Sequence, residues 1–189
     1  MTKTPVSSVI ASTVDAQRED RRDRELLRQL AGGDAAAIGS LYDRHATALF
    51  RHGLALSGHA SDAEDLVQAT FVKLAARGPL LLGVRRPASY MHRMLHAEWI
   101  DLARHRAVAR EESIEGELPG VQPGDAAEAL DVRRALAALP ERQREVVVLH
   151  VFNGLSFREI GRIAGVSTFT TASRYRLAID RLRLLLGER

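Results

Sequence analysis

Residues 155–183, LSFREIGRIAGVSTFTTASRYRLAIDRLR, hold two helical periodicities separated by a glycine, and their reading decides the fold. In the first, Phe157, Ile160, Gly161 and Ala164 recur at the i, i+3, i+4, i+7 spacing of one buried helix face, which leaves Arg158, Glu159 and Arg162 outside. Ser156 precedes the run as an N-cap, and Glu159, three residues on, completes a capping box. Gly165 ends the helix, because a residue without a Cβ readily takes the left-handed conformation that reverses the chain. Ser167 or Thr168 then caps a second helix, with Thr171, Tyr175, Ala178, Leu182 and Leu185 on its inner face. A turn of about 100° per residue puts Phe169, Ser173, Arg176 and Asp180 on the outer face and Thr170, Arg174 and Leu177 along its edges. Hydroxyls and arginines for phosphates and purine edges, beside an apolar ring for a thymine methyl, are the layout of a helix that reads DNA. A helical hairpin with merely solvated arginines is the alternative this stretch alone leaves open.

The whole chain narrows the choice. Its 189 residues suffice for one medium domain or two small ones, and 46% hydrophobic with 27% charged residues is the balance of a globular protein. Only 5% is aromatic, and no sustained alternating β-branched run is bounded by turns on both sides, so the expected fold class is all-α. The one strand candidate, Val146-Val147-Val148-Leu149, lies between the helix-opening Leu139-Pro140-Glu141 and the stop signal Asn153-Gly154, and reads as a buried helix. The absence of cysteine excludes thiol catalysis, disulfides and cysteine-based zinc sites, and suits a reducing compartment. No apolar run approaches the roughly 20 residues that span a bilayer, and the N-terminus lacks a signal-peptide layout, so no membrane insertion is expected and the location expected is cytoplasmic. The net charge of +3 is modest for a nucleic-acid binder, which predicts weak DNA binding by the chain alone.

Punctuation divides the chain into four parts. Residues 1–22 are polar, lack apolar periodicity and read as a flexible tail. A helical block follows over 23–110: Gly32-Gly33-Asp34 breaks and recaps it, Ser61 and Glu64 form a further capping-box signature, and Ala63, Leu66, Val67, Thr70, Phe71 and Leu74 bury one face, turning Asp65, Gln68 and Lys73 away. Residues 111–127, EESIEGELPGVQPGDAA, carry five acidic side chains, no basic one, two prolines and three glycines, the composition of a flexible linker. The block 128–187 then carries the helix-turn-helix.

Four pieces of this pattern resemble the extracytoplasmic-function (ECF) sigma factors of bacterial RNA polymerase: GDAAAIGSLYDRH at 33–45, SDAEDLVQATFVKL at 61–74, SYMHRMLHAEWIDLARHR at 89–106 and LPERQREVVVLHVFNGLSFREIGRIAGVS at 139–167. The resemblance implies two small helical domains, sigma region 2 over 23–110 and sigma region 4 over 128–187. It implies a non-enzymatic promoter-specificity subunit that joins core RNA polymerase and recognises the −35 and −10 elements. Core would be bound through the clamp helices of its largest subunit and the flap of its second-largest, the former contacting Asp65, Leu66 and Gln68. By the same resemblance Thr168, Phe169, Thr170, Ser173, Arg174, Arg176 and Leu177 would read the −35 element. The −10 element would fall to Tyr90, Arg93, Ala97, Glu98, Asp101 and Arg104, and an anti-sigma factor would be a further partner.

The chain also departs from the family pattern. Tyr90 and Ala97 stand where tryptophan and asparagine are usual, Ala69 replaces a common glutamate, and Phe169-Thr170-Thr171 replaces Gly-Thr-Val, so unusual −10 and −35 preferences are expected.

Several residues invite other readings. His92 and His96, one helical turn apart with Glu98 and Asp101 nearby, have a metal-compatible spacing, but the glutamate of a zincin motif is missing, so a solvated or DNA-facing surface is expected and neither metal nor cofactor. The recurrence of His45, His52 and His59 reads as coincidence, and Trp99 as a core filler. Arg85, Arg86, Arg104, Arg106 and Arg110 suit promoter phosphates or a plain charged surface equally well. A LuxR-like regulator would share the C-terminal motif but would need a ligand-binding or phosphoacceptor domain, which residues 61–106 do not resemble. A hydrolase built on His92, His96 and Asp101 lacks every accompanying motif.

Overall fold

The computed structural model describes the backbone of residues 6–112, 132 and 134–186, and side chains within 18–106, at 132 and over 134–186. Every element among the described residues is helical. The first module contains α1 (Val6–Ala31), α2 (Ala36–Ser57), α3 (Ala60–Ala75), a 3-10 segment (Gly78–Gly83) and α4 (Pro87–Glu112). After a helical turn at 134–137, the second module contains α5 (Glu141–Val147), which widens into a π-helical segment (Val148–Phe152), then α6 (Phe157–Ile163) and α7 (Thr168–Leu185).

Residues 6–22 form no separate tail, contrary to the sequence expectation; they run as helix without a break into α1. The apolar repeat begins only at Leu26, but once that part is helical each preceding alanine, glutamine or arginine adds a hydrogen bond at the low cost of propagation rather than nucleation. Gly33, at φ +94°, ends the helix, and the Asp34 carboxylate caps α2 by accepting from Ala36 N–H at 2.9 Å. Gly58, at φ +76°, closes α2 by donating to Leu54 O. The expected capping box of Ser61 and Glu64 does not form, because α3 starts earlier, from His59, whose N–H is held by Ser57 Oγ at 3.1 Å.

Each module has its own apolar core. In the first, Leu27, Leu41, Leu49, Leu74, Leu81, Met91 and Leu95 are fully buried. Burying such a side chain contributes roughly 1.5–3 kcal/mol. In the second, Val146, Leu149 and Ile160 meet between the helices, and Val147 and Ala178 meet under α7. Ile163 belongs to this core although the spacing argument omitted it, and Leu185, assigned to the inner face, is half exposed. The acidic stretch 113–127 lies outside the described residues; residues 111–112, assigned to the linker, are the last residues of α4.

Candidate nucleic-acid interface and the packing beside it

The helix-turn-helix is fixed at both caps. Ser156 Oγ accepts from Glu159 N–H while Glu159 Oε2 accepts from Ser156 N–H at 3.1 Å, the reciprocal pair expected from the sequence. Gly165, at φ +66°, reverses the chain, and Val166 N–H donates back to Gly161 O at 2.8 Å. Ser167 then caps α7 through Thr170 N–H at 3.0 Å. Thr171 and Ala178 are buried, which turns the opposite side of α7 outward: Phe169 is 81% exposed, and Thr168, Arg176 and Leu177 are exposed beside it. Ser173 and Arg174 are half-buried at the edges. Thr170 is also half-buried, its hydroxyl 2.8 Å from Ser167 Oγ and so partly engaged.

The six candidate residues of α4 are placed less uniformly. Arg93 is exposed and lies over the half-buried Tyr90 ring, 5.5 Å from its centroid. Ala97 and Asp101 are exposed, Arg104 pairs with Asp101 at 3.4 Å, and Glu98 is tied to Lys73 of α3 at 2.6 Å. Arg106 leaves the set of free cations: it grips the Asp62 carboxylate in a bidentate pair at 2.6 and 2.7 Å. That hydrogen bonding holds the Asp62 carboxyl below its usual range. Asp65 and Gln68 are exposed on α3, whereas Leu66 is 3% exposed and belongs to the core. A docking protein can touch the first two; Leu66 can only support them. Gln68 also borders a shallow groove that includes Tyr42, Phe50 and Val67.

The second module rests on the first, an arrangement no sequence pattern foretold. Arg144 Nε donates to Ala55 O at 2.6 Å, Asn153 Nδ2 to Ala48 O at 3.1 Å, and Trp99 Nε1 to Glu141 Oε1 at 3.0 Å. Trp99 therefore has its expected apolar packing against the first core and a polar role between the modules. Glu159 was expected to face solvent. Instead Oε1 accepts from Ser89 Oγ at 3.1 Å and from Arg86 at 3.3 Å. Burial alone would raise this carboxyl, but the Ser156 and Ser89 hydrogen bonds and the Arg86 charge bring it below its ordinary value. A cleft between the modules is lined by Arg86, Ser89, Tyr90 and Arg93 on one side and by Glu159 and Arg162 on the other.

His92 and His96 are not the surface residues expected. His52 is 0% exposed and His92 is buried, with their Nδ1 atoms 3.2 Å apart, and His52 and His96 both meet Glu145 of the second module. The available signals were the i, i+4 spacing of His92 and His96 and a glutamate opening the apolar run Val146–Leu149.

Comparison with known proteins places this architecture. Residues 41–108 match the family model for sigma-70 region 2 and residues 129–182 that for sigma-70 region 4. The chain is 32% identical over 165 residues to the ECF RNA polymerase sigma factor SigL of Mycobacterium tuberculosis, covering 84% of this chain and 93% of that protein. The chain belongs to the ECF RNA polymerase sigma factors. To the sigma factor SigM of M. tuberculosis it is 30% identical over 171 residues, 90% of this chain and 87% of the relative. Among solved structures, RpoE of Bartonella quintana in complex with the anti-sigma factor NepR superposes with a TM-score of 0.69 at 26% identity, covering 79% of this chain and 96% of that one. CnrH in complex with the cytosolic domain of CnrY gives 0.65 at 28%, covering 87% and 97%. This sigma factor therefore serves with core RNA polymerase and promoter DNA in the initiation of transcription. Among the described residues no helix is long and apolar enough to cross a membrane.

Proposed function

We propose that this sigma factor selects promoters by reading the −35 element with the outer face of α7 and the −10 element with α4. The observation that carries the reading is the division of α7. Thr171 and Ala178 are sealed in the core, so Thr168, Phe169, Arg176 and Leu177 project together, with Thr170, Ser173 and Arg174 at their edges. Arg176 lies near the middle of that face and is assigned to a guanine edge, Phe169 to a thymine methyl and Arg174 to a phosphate. On α4, Tyr90 and Arg93 form the polar and aromatic part of the −10 surface, continued by Ala97, Glu98, Asp101 and Arg104. Ala97 offers no hydrogen bond, so −10 selectivity rests on its neighbours.

Asp65 and Gln68 are assigned to the clamp helices of core polymerase, and the second module to the flap. Catalysis belongs to core; this chain supplies specificity. An anti-sigma factor is the remaining partner, a reading supported by relatives that were solved in complex with NepR and with CnrY.

The test is run-off transcription from a randomised −35 library with Arg176→Ala and Arg174→Ala holoenzymes. Loss of a bidentate guanine contact removes about 1–3 kcal/mol and relaxes preference at one base pair, whereas loss of a phosphate contact weakens all sequences alike and lowers the salt slope by about one unit. Arg176→Ala should give the first result and Arg174→Ala the second. The reverse pattern would overturn the assignment of both arginines.

A further inference from the structure

His52 of α2, His96 of α4 and Glu145 of α5 converge where the two modules meet. One ligand-type atom from each lies within 4.8 Å of the other two. His52 Nε2 is 3.2 Å from Glu145 Oε1, and His96 Nδ1 is 2.9 Å from the same oxygen. The second contact is close but misdirected: His96 Nδ1 is buried and lacks a hydrogen-bond partner among the described residues. For ligands about 2.0–2.1 Å from a tetrahedral metal, neighbouring ligand atoms fall roughly 3.3 Å apart, close to the 3.2 Å between His52 Nε2 and Glu145 Oε1.

The surroundings are those of a metal's outer shell. A His ligand bound through Nε2 must carry its proton on Nδ1, and there His92 Nδ1 waits at 3.2 Å to accept it. His92 is itself buried beside that ring. Glu145, at 2% exposure, is paired with no lysine or arginine among the described residues; Arg144 beside it donates to the carbonyls of Ala55 and Ala137. His96 retains 15% side-chain exposure, so the cluster lies near solvent.

We propose that His52, His96 and Glu145 form a binding site for a zinc-class divalent metal that staples sigma region 4 onto sigma region 2, with water as fourth ligand. Two imidazoles and one carboxylate suit zinc or cobalt, and the ligands come from three helices of two modules, so the metal and the closed arrangement stabilise one another. The inference does not depend on the promoter-reading assignments. It rests on the packing of the modules alone.

The test uses the untagged full chain, with zinc chloride and cobalt chloride as probes. Wild type should retain one equivalent of zinc after dialysis, measured by mass spectrometry of the metal. Its cobalt form should show the intense visible bands of a tetrahedral site, bleached by added zinc. Glu145→Gln and His96→Gln, checked for helical circular dichroism, should each weaken zinc binding at least about tenfold, the minimum expected of a ligand when outer-shell changes already reach that size. Wild type without stoichiometric zinc or cobalt bands overturns the proposal, with no variant needed. So does undiminished binding by either folded variant, which would put the metal elsewhere.

Discussion

Replacing Gly161 by alanine is expected to loosen the packing of α7 on α6, and the contacts set the size of the effect. A Cβ at this position would lie 2.7 Å from Val166 O and 3.3 Å from Thr171 Oγ1. The nearer atom is backbone, which no rotamer change can move, and it belongs to the turn closed by the Val166 to Gly161 hydrogen bond of 2.8 Å. Overpacking costs about 1–3 kcal/mol, while alanine gains about 1 kcal/mol of helix propensity over glycine, so a net loss of up to about 2 kcal/mol is expected. Gly39 gives the opposite sign. It is exposed in α2 with nothing within 4 Å of an added Cβ, and Gly39→Ala should stabilise by about 0.5–1 kcal/mol. Gly53 is intermediate: the Cβ would meet Ala63 Cα at 3.1 Å where α2 and α3 cross, so a smaller loss is expected because one helix must move. Urea unfolding of the three variants gives the order, and run-off transcription from a −35-dependent promoter gives the functional effect. A Gly161→Ala protein with wild-type midpoint and wild-type −35-dependent initiation would refute the account of the turn.

Asp65→Arg should abolish co-migration with core polymerase while leaving helical circular dichroism unchanged; binding retained by the folded variant would remove Asp65 from the docking surface. Asp23 joins α1 to α2 through Arg44 at 2.6 Å and His45 at 2.8 Å; burial would raise its carboxyl, but these partners outweigh burial and depress it. Its contribution should therefore be complete above the unfolded aspartate value of about pH 3.9 and be lost as pH falls through the lower folded value. Asp23→Asn, expected to lower stability by about 1–3 kcal/mol at neutral pH, should flatten the acid limb of a melting-temperature profile, and an unchanged limb would count against the pair. Ala97→Asn should alter preference at one −10 position in a randomised element; a wild-type profile would show that residue 97 does not approach a base.

What the sequence made legible was local. Ser156, Glu159, Gly165 and Ser167 act on neighbours within a few residues, and their caps and turn appear as the spacing predicts. The apolar faces of α3 and α7 followed from periodicity for the same reason. Residues whose partners are distant in sequence were misread. Arg106 looked available for phosphate, but its partner Asp62 is 44 positions away; Glu159 looked solvated, but Ser89 is 70 positions away. The histidines failed similarly. His52 and Glu145 are 93 residues apart, and only module packing makes them neighbours. Helix 6–22 was missed for another reason: a continuation needs no apolar stripe of its own once the adjoining segment has nucleated.

The cores and the junction between modules differ in kind, and that difference bears on how the two proposed DNA-facing surfaces can act together. Among the described residues the apolar clusters stay within one module or the other. Besides the buried Glu145 between His52 and His96, the junction contains Arg144 on Ala55 O, Asn153 on Ala48 O, Trp99 on Glu141, and Glu159 on Ser89 and Arg86, all polar groups that water can satisfy on separation. Each such hydrogen bond contributes a net of about 0.5–1.5 kcal/mol, or about 1.5–3 where a charged group takes part, but unlike a buried leucine it is replaced by a bond to water when the partners separate. Opening the junction therefore leaves both modules folded. It also uncovers the half-buried Tyr90, which borders the cleft facing α6, and, on the proposed assignments, would free the distance between α4 and α7 to match two separated promoter elements. A junction built instead from leucines would hold these surfaces at one fixed spacing and leave a large apolar patch whenever it opened.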